Sequence, residues 1–237
     1  MASARSEPEG LKGTALELFG SLASSYERAL DATTLLQDRY WKRWVVEKAG
    51  AKESDLVLDI GCGTLLLEER LQSSGCQVVG LDLTDAMLRL GREKRLPNVR
   101  ALVNGDAETL PVRDSTFDIV VSCYVPKYVD LEKFTAEVAR VAKPGGRIVM
   151  YDFVRPRGVY LPFLALYIYG GFRVAGALLG LVKSQAAYTF KNLPRIVEGA
   201  TWDTRIVTLF GKHGVEKNSW ARLSGGVVTA YSGTKSR

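Results

Sequence analysis

Histidine is almost absent from this chain of 237 residues. The single one, His213, lies in Gly211-Lys212-His213-Gly214, which reads as a solvated loop between a helix and a strand rather than as the seat of a base. Cysteine is sparse. Cys62, Cys76 and Cys123 share no metal-ligand spacing, so they read as reduced thiols packed as small hydrophobes, and no metal site is expected. There is no secretory signal: residues 1–10 are polar, contain proline and glycine, and lack an apolar core. They read as a frayed, disordered tail, and the chain is expected to stay in the cytoplasm. Acid is missing from residues 153–197, where Arg155, Arg157, Arg173, Lys183, Lys191 and Arg195 face no carboxylate in sequence. The formal charge of +6 therefore belongs to that segment and the tail, because the chain before it leans slightly acidic. Nucleic acid is one partner for such a patch, but the apolarity of the same segment points elsewhere.

What is present is ordinary in bulk and specific in pattern. A hydrophobic content of 46% and a charged content of 24% suit a soluble globular protein with one substantial core. The apolar run Leu56-Val57-Leu58 ends in Asp59 and breaks into Gly61-Cys62-Gly63-Thr64, followed by a helix-compatible stretch over residues 65–71. Strand, glycine turn and helix in that order let a nucleotide approach bare backbone. A second apolar strand, Val78-Val79-Gly80-Leu81, ends in Asp82, an acid able to accept both hydroxyls of a ribose. A third, over residues 99–103, runs into Asn104-Gly105-Asp106-Ala107. With Asp59 at the strand end and Glu68 and Glu69 in the helix, the turn suits a cationic ligand better than a diphosphate.

Around this turn, apolar spacing predicts helices over residues 11–30 and 35–49. Thr84 can cap a helix over 86–93. A fourth strand spans 117–123 and a helix spans 132–142. Lys143-Pro144-Gly145-Gly146 then stops that helix and turns the chain into a fifth strand over 147–152. Alternating strands and helices imply a parallel sheet covered on both faces, closed by an antiparallel pair over 215–222 and 226–231.

Residues 158–182, GVYLPFLALYIYGGFRVAGALLGLV, carry one charge, Arg173. Their length alone allows a membrane span. Pro162, Gly170-Gly171 and Arg173 interrupt them, and the sheet's last strands follow them, which argues against crossing. Two readings stay open: a buried apolar cap, or an apolar lid whose basic flanks touch an anionic lipid surface.

The series of acids and glycines resembles the class I S-adenosylmethionine-dependent methyltransferases. That resemblance implies an α/β fold, a Rossmann-like seven-stranded sheet with helices on both faces. It implies S-adenosyl-L-methionine as cofactor, with Asp59, Gly61, Gly63 and Thr64 on its methionine and ribose side. Asp82 would then serve the ribose hydroxyls, Asp106 and Ala107 the adenine edge, Leu83 and Met87 the adenine faces, and Ser122 the methionyl end. The chain divides accordingly into an N-terminal helical cover (11–50), a cofactor core (55–154), a basic-flanked apolar cap (155–200) and closing elements (201–237), all in one domain after the tail.

The flanks narrow the resemblance. Phe19, Tyr26-Glu27, Asp31 and Trp41-Lys42-Arg43 upstream, and Tyr188, Leu193-Pro194, Gly211 and Leu223-Ser224-Gly225-Gly226-Val227-Val228 downstream, are similar to the ubiquinone/menaquinone biosynthesis C-methyltransferases. That family implies C-methylation of a prenylated quinol, a hydrophobic small molecule, with peripheral membrane contact through 155–195 on the inner face and no nucleic acid. Two positions depart from its pattern. Leu65 replaces a glycine after Cys-Gly-Thr and is expected to narrow the approach to the cofactor or shift the helix. Cys123-Tyr124-Val125-Pro126-Lys127-Tyr128 lacks the family's arginine, and lysine has no planar fork to replace it. A phenolic acceptor needs its hydroxyl deprotonated or held, and Lys127, Tyr124 and Tyr188 are the catalytic candidates, with Tyr128 and Asp152 beside them and Tyr26 and Tyr40 closing the pocket. The alternatives are another amphiphile as substrate (a phospholipid amine, a sterol-like or terpenoid lipid) and a cofactor-binding membrane adaptor without catalysis.

Overall fold

The structure, a computed structural model, describes residues 8–155, 170, 196–197 and 199–237. Residues 158–182 apart from Gly170, and Tyr188, the apolar cap and one catalytic candidate, lie outside them. Three helices lead in: α1 (Pro8–Leu22), α2 (Tyr26–Thr34) and α3 (Gln37–Ala49). The core follows as β1 (Leu56–Ile60), α4 (Leu66–Leu71), β2 (Gln77–Asp82), α5 (Asp85–Glu93), β3 (Val99–Asn104), β4 (Phe117–Cys123), α6 (Leu131–Val141) and β5 (Ala142–Phe153). Then come α7 (Trp202–Lys212), β6 (Val215–Leu223) and β7 (Val228–Lys235).

One seven-stranded sheet runs β3-β2-β1-β4-β5-β7-β6. The first five strands are parallel, and β7 lies antiparallel to both β5 and β6. Successive residues of the central strands alternate between two apolar layers. Val57, Ile119 and Val149 pack with Trp41, Val45, Leu67 and Leu71 from α3 and α4. Leu58, Val120 and Ile148 pack with Phe134, Val138, Trp202, Ile206 and Phe210 from α6 and α7. Burial on both faces is why these strands read as continuous hydrophobic runs rather than as alternating ones.

Several boundaries differ from the sequence expectation, each for a local reason. The first helix begins at Pro8, where proline's missing N–H costs nothing. Leu35 and Leu36, both at positive φ, break α2 from α3. The Lys143-Pro144-Gly145-Gly146 turn lies inside the start of β5, which begins at Ala142, and its extra residues appear as a shift of register against β4. Thr84 does precede α5 in extended geometry, but its side chain makes no capping bond.

The strand order reverses direction between β1 and β4, so a crevice opens beyond their carboxyl ends. The same end of the sheet carries the β6–β7 turn, the start of α3, and Arg155, where the chain leaves β5 for the apolar segment. Ser224 ties these together: its Oγ accepts from Trp41 Nε1 (2.8 Å) and donates to Gln37 Oε1 (2.9 Å).

Candidate active site

The crevice is a cleft of about 730 Å³ including its open mouth. Gly61, Gly63, Asp82, Leu83, Met87, Asp106 and Ala107 line it, with Tyr124 and Tyr128 on the side of β4 and Lys12, Leu16 and Phe19 of α1 above. It continues into a smaller pocket lined by Asp59, Gly61, Gly63, Thr64, Tyr26 and Lys42. The sheet thus brings together residues drawn from four separate strand ends.

The turn after β1 holds its shape through β2. Gly61 and Cys62 donate their backbone N–H groups to Leu81 O (2.7 and 3.1 Å). Gly63 N–H donates to Asp82 Oδ2 (2.9 Å), and Thr84 N–H to Asp82 Oδ1 (2.8 Å). Each Asp82 oxygen thus has one backbone donor and spare lone pairs toward the cleft. Burial raises the Asp82 carboxyl, against those two backbone bonds, which lower it. At Gly61 (φ +78°) a Cβ would lie 2.3 Å from Val125 Cγ2, so only glycine fits. Gly63 (φ +56°) faces open space up to the Tyr26 ring, the bare backbone a nucleoside needs.

Leu65 behaves otherwise than expected. It stands at φ 69° as the residue before α4, but its side chain turns away from the cleft into a buried group with Cys62 and Leu88. Gly91 of α5 makes the room: a Cβ there would come within 2.8 Å of Leu65 Cγ. The approach to the cofactor is not narrowed.

Other expected residues are placed less simply. Asp106 is at the cleft, but Lys12 of α1 reaches across to it (Nζ–Oδ2 2.8 Å) and to Glu108 (2.8 Å). Burial alone would raise the Asp106 carboxyl; the Lys12 ammonium outweighs that and holds it below the usual range. Ser122 is fully buried with its Oγ donating to Ile60 O (2.9 Å), and it is Cys123, one residue on, that lines the cleft. Glu69 pairs with Lys94 (2.9 Å), away from any ligand. Tyr40 is half exposed and does not close the pocket, whereas Tyr26 does.

Lys127 is not among the residues that line the cleft. Its side chain is buried beneath the cleft wall, with Nζ donating to Asp152 Oδ1 (2.7 Å) and Tyr124 O (2.7 Å). Asp152 also accepts from the backbone N–H of Lys127 (3.0 Å) and of Phe153 (2.7 Å). This pair pins the segment after β4 to the end of β5. Tyr124, at φ 68°, lines the cleft with its ring and donates its hydroxyl to Asp38 Oδ1 (2.8 Å). Tyr151 donates to the same oxygen (2.8 Å), and Lys42 Nζ to both oxygens of Asp38 (2.6 and 2.7 Å). Burial, reinforced by the Asp38 charge, pushes the Tyr124 hydroxyl well up, so it stays protonated. Asp38 and Lys42 stand four residues apart on α3, a spacing visible in sequence, but only the fold shows that the pair faces inward. Nothing in the sequence marks Lys12 or the burial of Glu68.

The profile of the ubiE/COQ5 methyltransferase family matches residues 10–235. A demethylmenaquinone methyltransferase of Streptomyces avermitilis is 32% identical over 222 residues, 92% of this chain and 93% of the relative. A demethylmenaquinone methyltransferase of Tropheryma whipplei is 31% identical over 91% of this chain and 89% of its own length. The same identity holds with a ubiquinone/menaquinone biosynthesis C-methyltransferase of Marinomonas, over 92% and 89%. Among solved structures, a putative methyltransferase of Haloferax volcanii in complex with its activator superposes with a TM-score of 0.63 at 18% identity, covering 92% of this chain and 98% of that one. Geranyl diphosphate methyltransferase superposes at 0.57 and 16%, covering 84% of each. At such identities the structures speak to the fold alone, and they agree with it.

Proposed function

This chain belongs to the ubiE/COQ5 methyltransferase family, and from that premise we propose that it moves a methyl group from S-adenosylmethionine to a ring carbon of a prenylated quinol at a membrane surface. The cleft suits the cofactor. Bare backbone at Gly63, Asp82 with spare acceptor capacity, Asp106 at the next strand end and an unpartnered Asp59 Oδ1 form a row of acceptors along one crevice. Asp82 would hold the ribose, Asp106 and Ala107 the adenine edge, Leu83 and Met87 its faces, and Asp59 with Gly61 to Thr64 the methionine part. Ser122 and Lys127 act at one remove, by fixing β4 to β1 and to β5.

Bound there, the cofactor supplies a methyl group on a sulfonium, already activated by its leaving group. The S–CH3 bond breaks as the ring C–CH3 bond forms, and the proton that the ring carbon gives up leaves to solvent through the open mouth of the cleft; the chain orients the acceptor and shields the sulfonium from water. Phe19, Tyr26 and Tyr128 form an aromatic wall, with Phe19 edge-on to each of the other two at 5.9 Å. Such a wall offers offset or edge contacts to a planar ring. Tyr124 completes it, anchored through Asp38 so that its ring rather than its hydroxyl meets the acceptor.

The observation that carries the substrate is the naming of the relatives, demethylmenaquinone and ubiquinone/menaquinone methyltransferases at about this identity over nearly the whole chain. Supporting membrane contact, Leu35 and Leu36 are 62% and 52% exposed at the cleft end of the sheet, with Arg39, Tyr40 and Arg43 following. No helix among the described residues is long and apolar enough to cross a membrane. The test is transfer of label from methyl-labelled S-adenosylmethionine to demethylmenaquinol, beside total membrane lipid, with Asp82→Ala as control. Label in the quinol that disappears in the control supports the proposal. Label confined to another lipid would remove the quinol, and binding without any transfer would favour an adaptor.

A further inference from the structure

One buried acid takes no part in the function above. Glu68 of α4 is fully buried, and neither of its carboxyl oxygens has a hydrogen-bond partner. It lies within hydrogen-bonding reach of Asp59, which lines the smaller pocket and whose Oδ1 also lacks a donor. Were both ionised, two acceptors would confront each other with no proton between them. Two carboxylates in contact away from water do not both stay charged.

Among the described residues, Lys42 of α3 is the cation whose charge acts on the pair, but its ammonium is committed to both oxygens of Asp38 and to Tyr151. Asp82 of β2 adds a like charge. Cys62 and Cys123 have thiols pushed well up by burial, so both are neutral. Asn98 donates to the backbone carbonyl of Glu68 (3.0 Å) and not to its side chain. A proton shared by the two acids is the donor that satisfies them.

We infer that Glu68 is a positioning residue for the cofactor's ammonium group: it holds a proton that it donates to Asp59, keeping Asp59 anionic at the methionine end of the cleft, and cofactor binding expels the second proton that the pair can carry. This rests on the cofactor assignment above. Burial raises both acids, and the Asp59 charge pushes Glu68 further up. The free pair therefore holds at least one proton and takes up a second as the pH falls, titrating as a unit. An ammonium beside Asp59 favours its anion, so binding shifts the pair to one proton.

The experiment is calorimetric binding of S-adenosylhomocysteine, which carries the same ammonium, from pH 5.5 to 8.5 in two buffers of different ionisation enthalpy. Wild type should release protons on binding at the acid end of this range, where its affinity should fall by up to about tenfold per pH unit. Glu68→Gln keeps a neutral donor and should keep both the affinity and the proton release. Glu68→Leu removes the donor and should move the rise in affinity to higher pH by a unit or more. Removing a buried acid should not unfold the chain, and thermal melts check that. Equal pH profiles in wild type and Glu68→Leu, or binding without proton release, would overturn the inference and leave the cofactor assignment standing. No binding by wild type at any pH would overturn both.

Discussion

Lys127 illustrates how a residue's neighbours decide its role. In sequence it stands where a catalytic cation is wanted; in the structure it is buried against Asp152 with two of its three donors used. Removing one member of such a pair leaves the other charged and unpaired, which costs about 3–5 kcal/mol. Lys127→Met should therefore lower the urea midpoint sharply, while Lys127→Met combined with Asp152→Leu should recover most of the loss. Turnover per folded molecule should stay within a few-fold of wild type, whereas loss of a general base lowers it by about 10² to 10⁴. Tyr124→Phe separates ring from hydroxyl in the same way. It removes one donor to Asp38, which keeps those from Tyr151 and Lys42, so about 1 kcal/mol of stability should go. Steady-state rates should remain above a tenth of wild type, because the protonated hydroxyl is no base and the ring remains.

At the scale of elements, the two flanks that narrowed the resemblance meet in space. Trp41 from α3 is almost fully buried and donates to Ser224 in the β6–β7 turn. Ser224→Ala leaves the indole N–H without that acceptor, an expected loss of about 1–3 kcal/mol by chemical denaturation. Ser224→Thr, which keeps the hydroxyl, should lose much less. Helix α1 is held over the cleft by Lys12 on Asp106 and Glu108. Lys12→Met should speed amide exchange across α1 and leave β1 and β4 unchanged. The pH sign follows from Asp106: its folded pKa is lowered, so the bridge is intact above the ordinary carboxylate range of about 4. Protection of α1 by this bridge should be flat from pH 8 to 5 and fall as the pH drops through the folded pKa of Asp106. The turn at residues 143–146 was legible as a helix stop, but its incorporation into β5 depends on pairing with β4, which no local signal carries.

For the whole molecule, the exposed apolar residues and the departure point of the apolar segment share the cleft end of the sheet. On the proposed function, a lipid substrate would enter at that end from a membrane surface, which apolar burial and arginines together would hold. Leu35→Ser with Leu36→Ser should reduce cosedimentation with anionic vesicles several-fold and leave binding of S-adenosylhomocysteine unchanged. Equal sedimentation of variant and wild type would remove this corner from the docking face.

The order of strands and helices and the acids at the strand ends were legible in the chain before any folding. Glycine at a positive φ, an acid at a strand end and a continuous apolar run are local requirements, met within a few residues and therefore readable there. The family followed from the same motifs and their flanks. Which charged side chains face inward, and what they meet, emerges from folding alone: Lys127 on Asp152, Lys42 on Asp38 and Lys12 across the cleft, as does the room that Gly91 leaves for Leu65. Glu68, one of two adjacent glutamates, became a buried acid because α4 turns it toward Asp59 while Glu69 faces Lys94. Partners far apart in the chain set the charge and the function of such groups, and composition and spacing carry no record of that pairing.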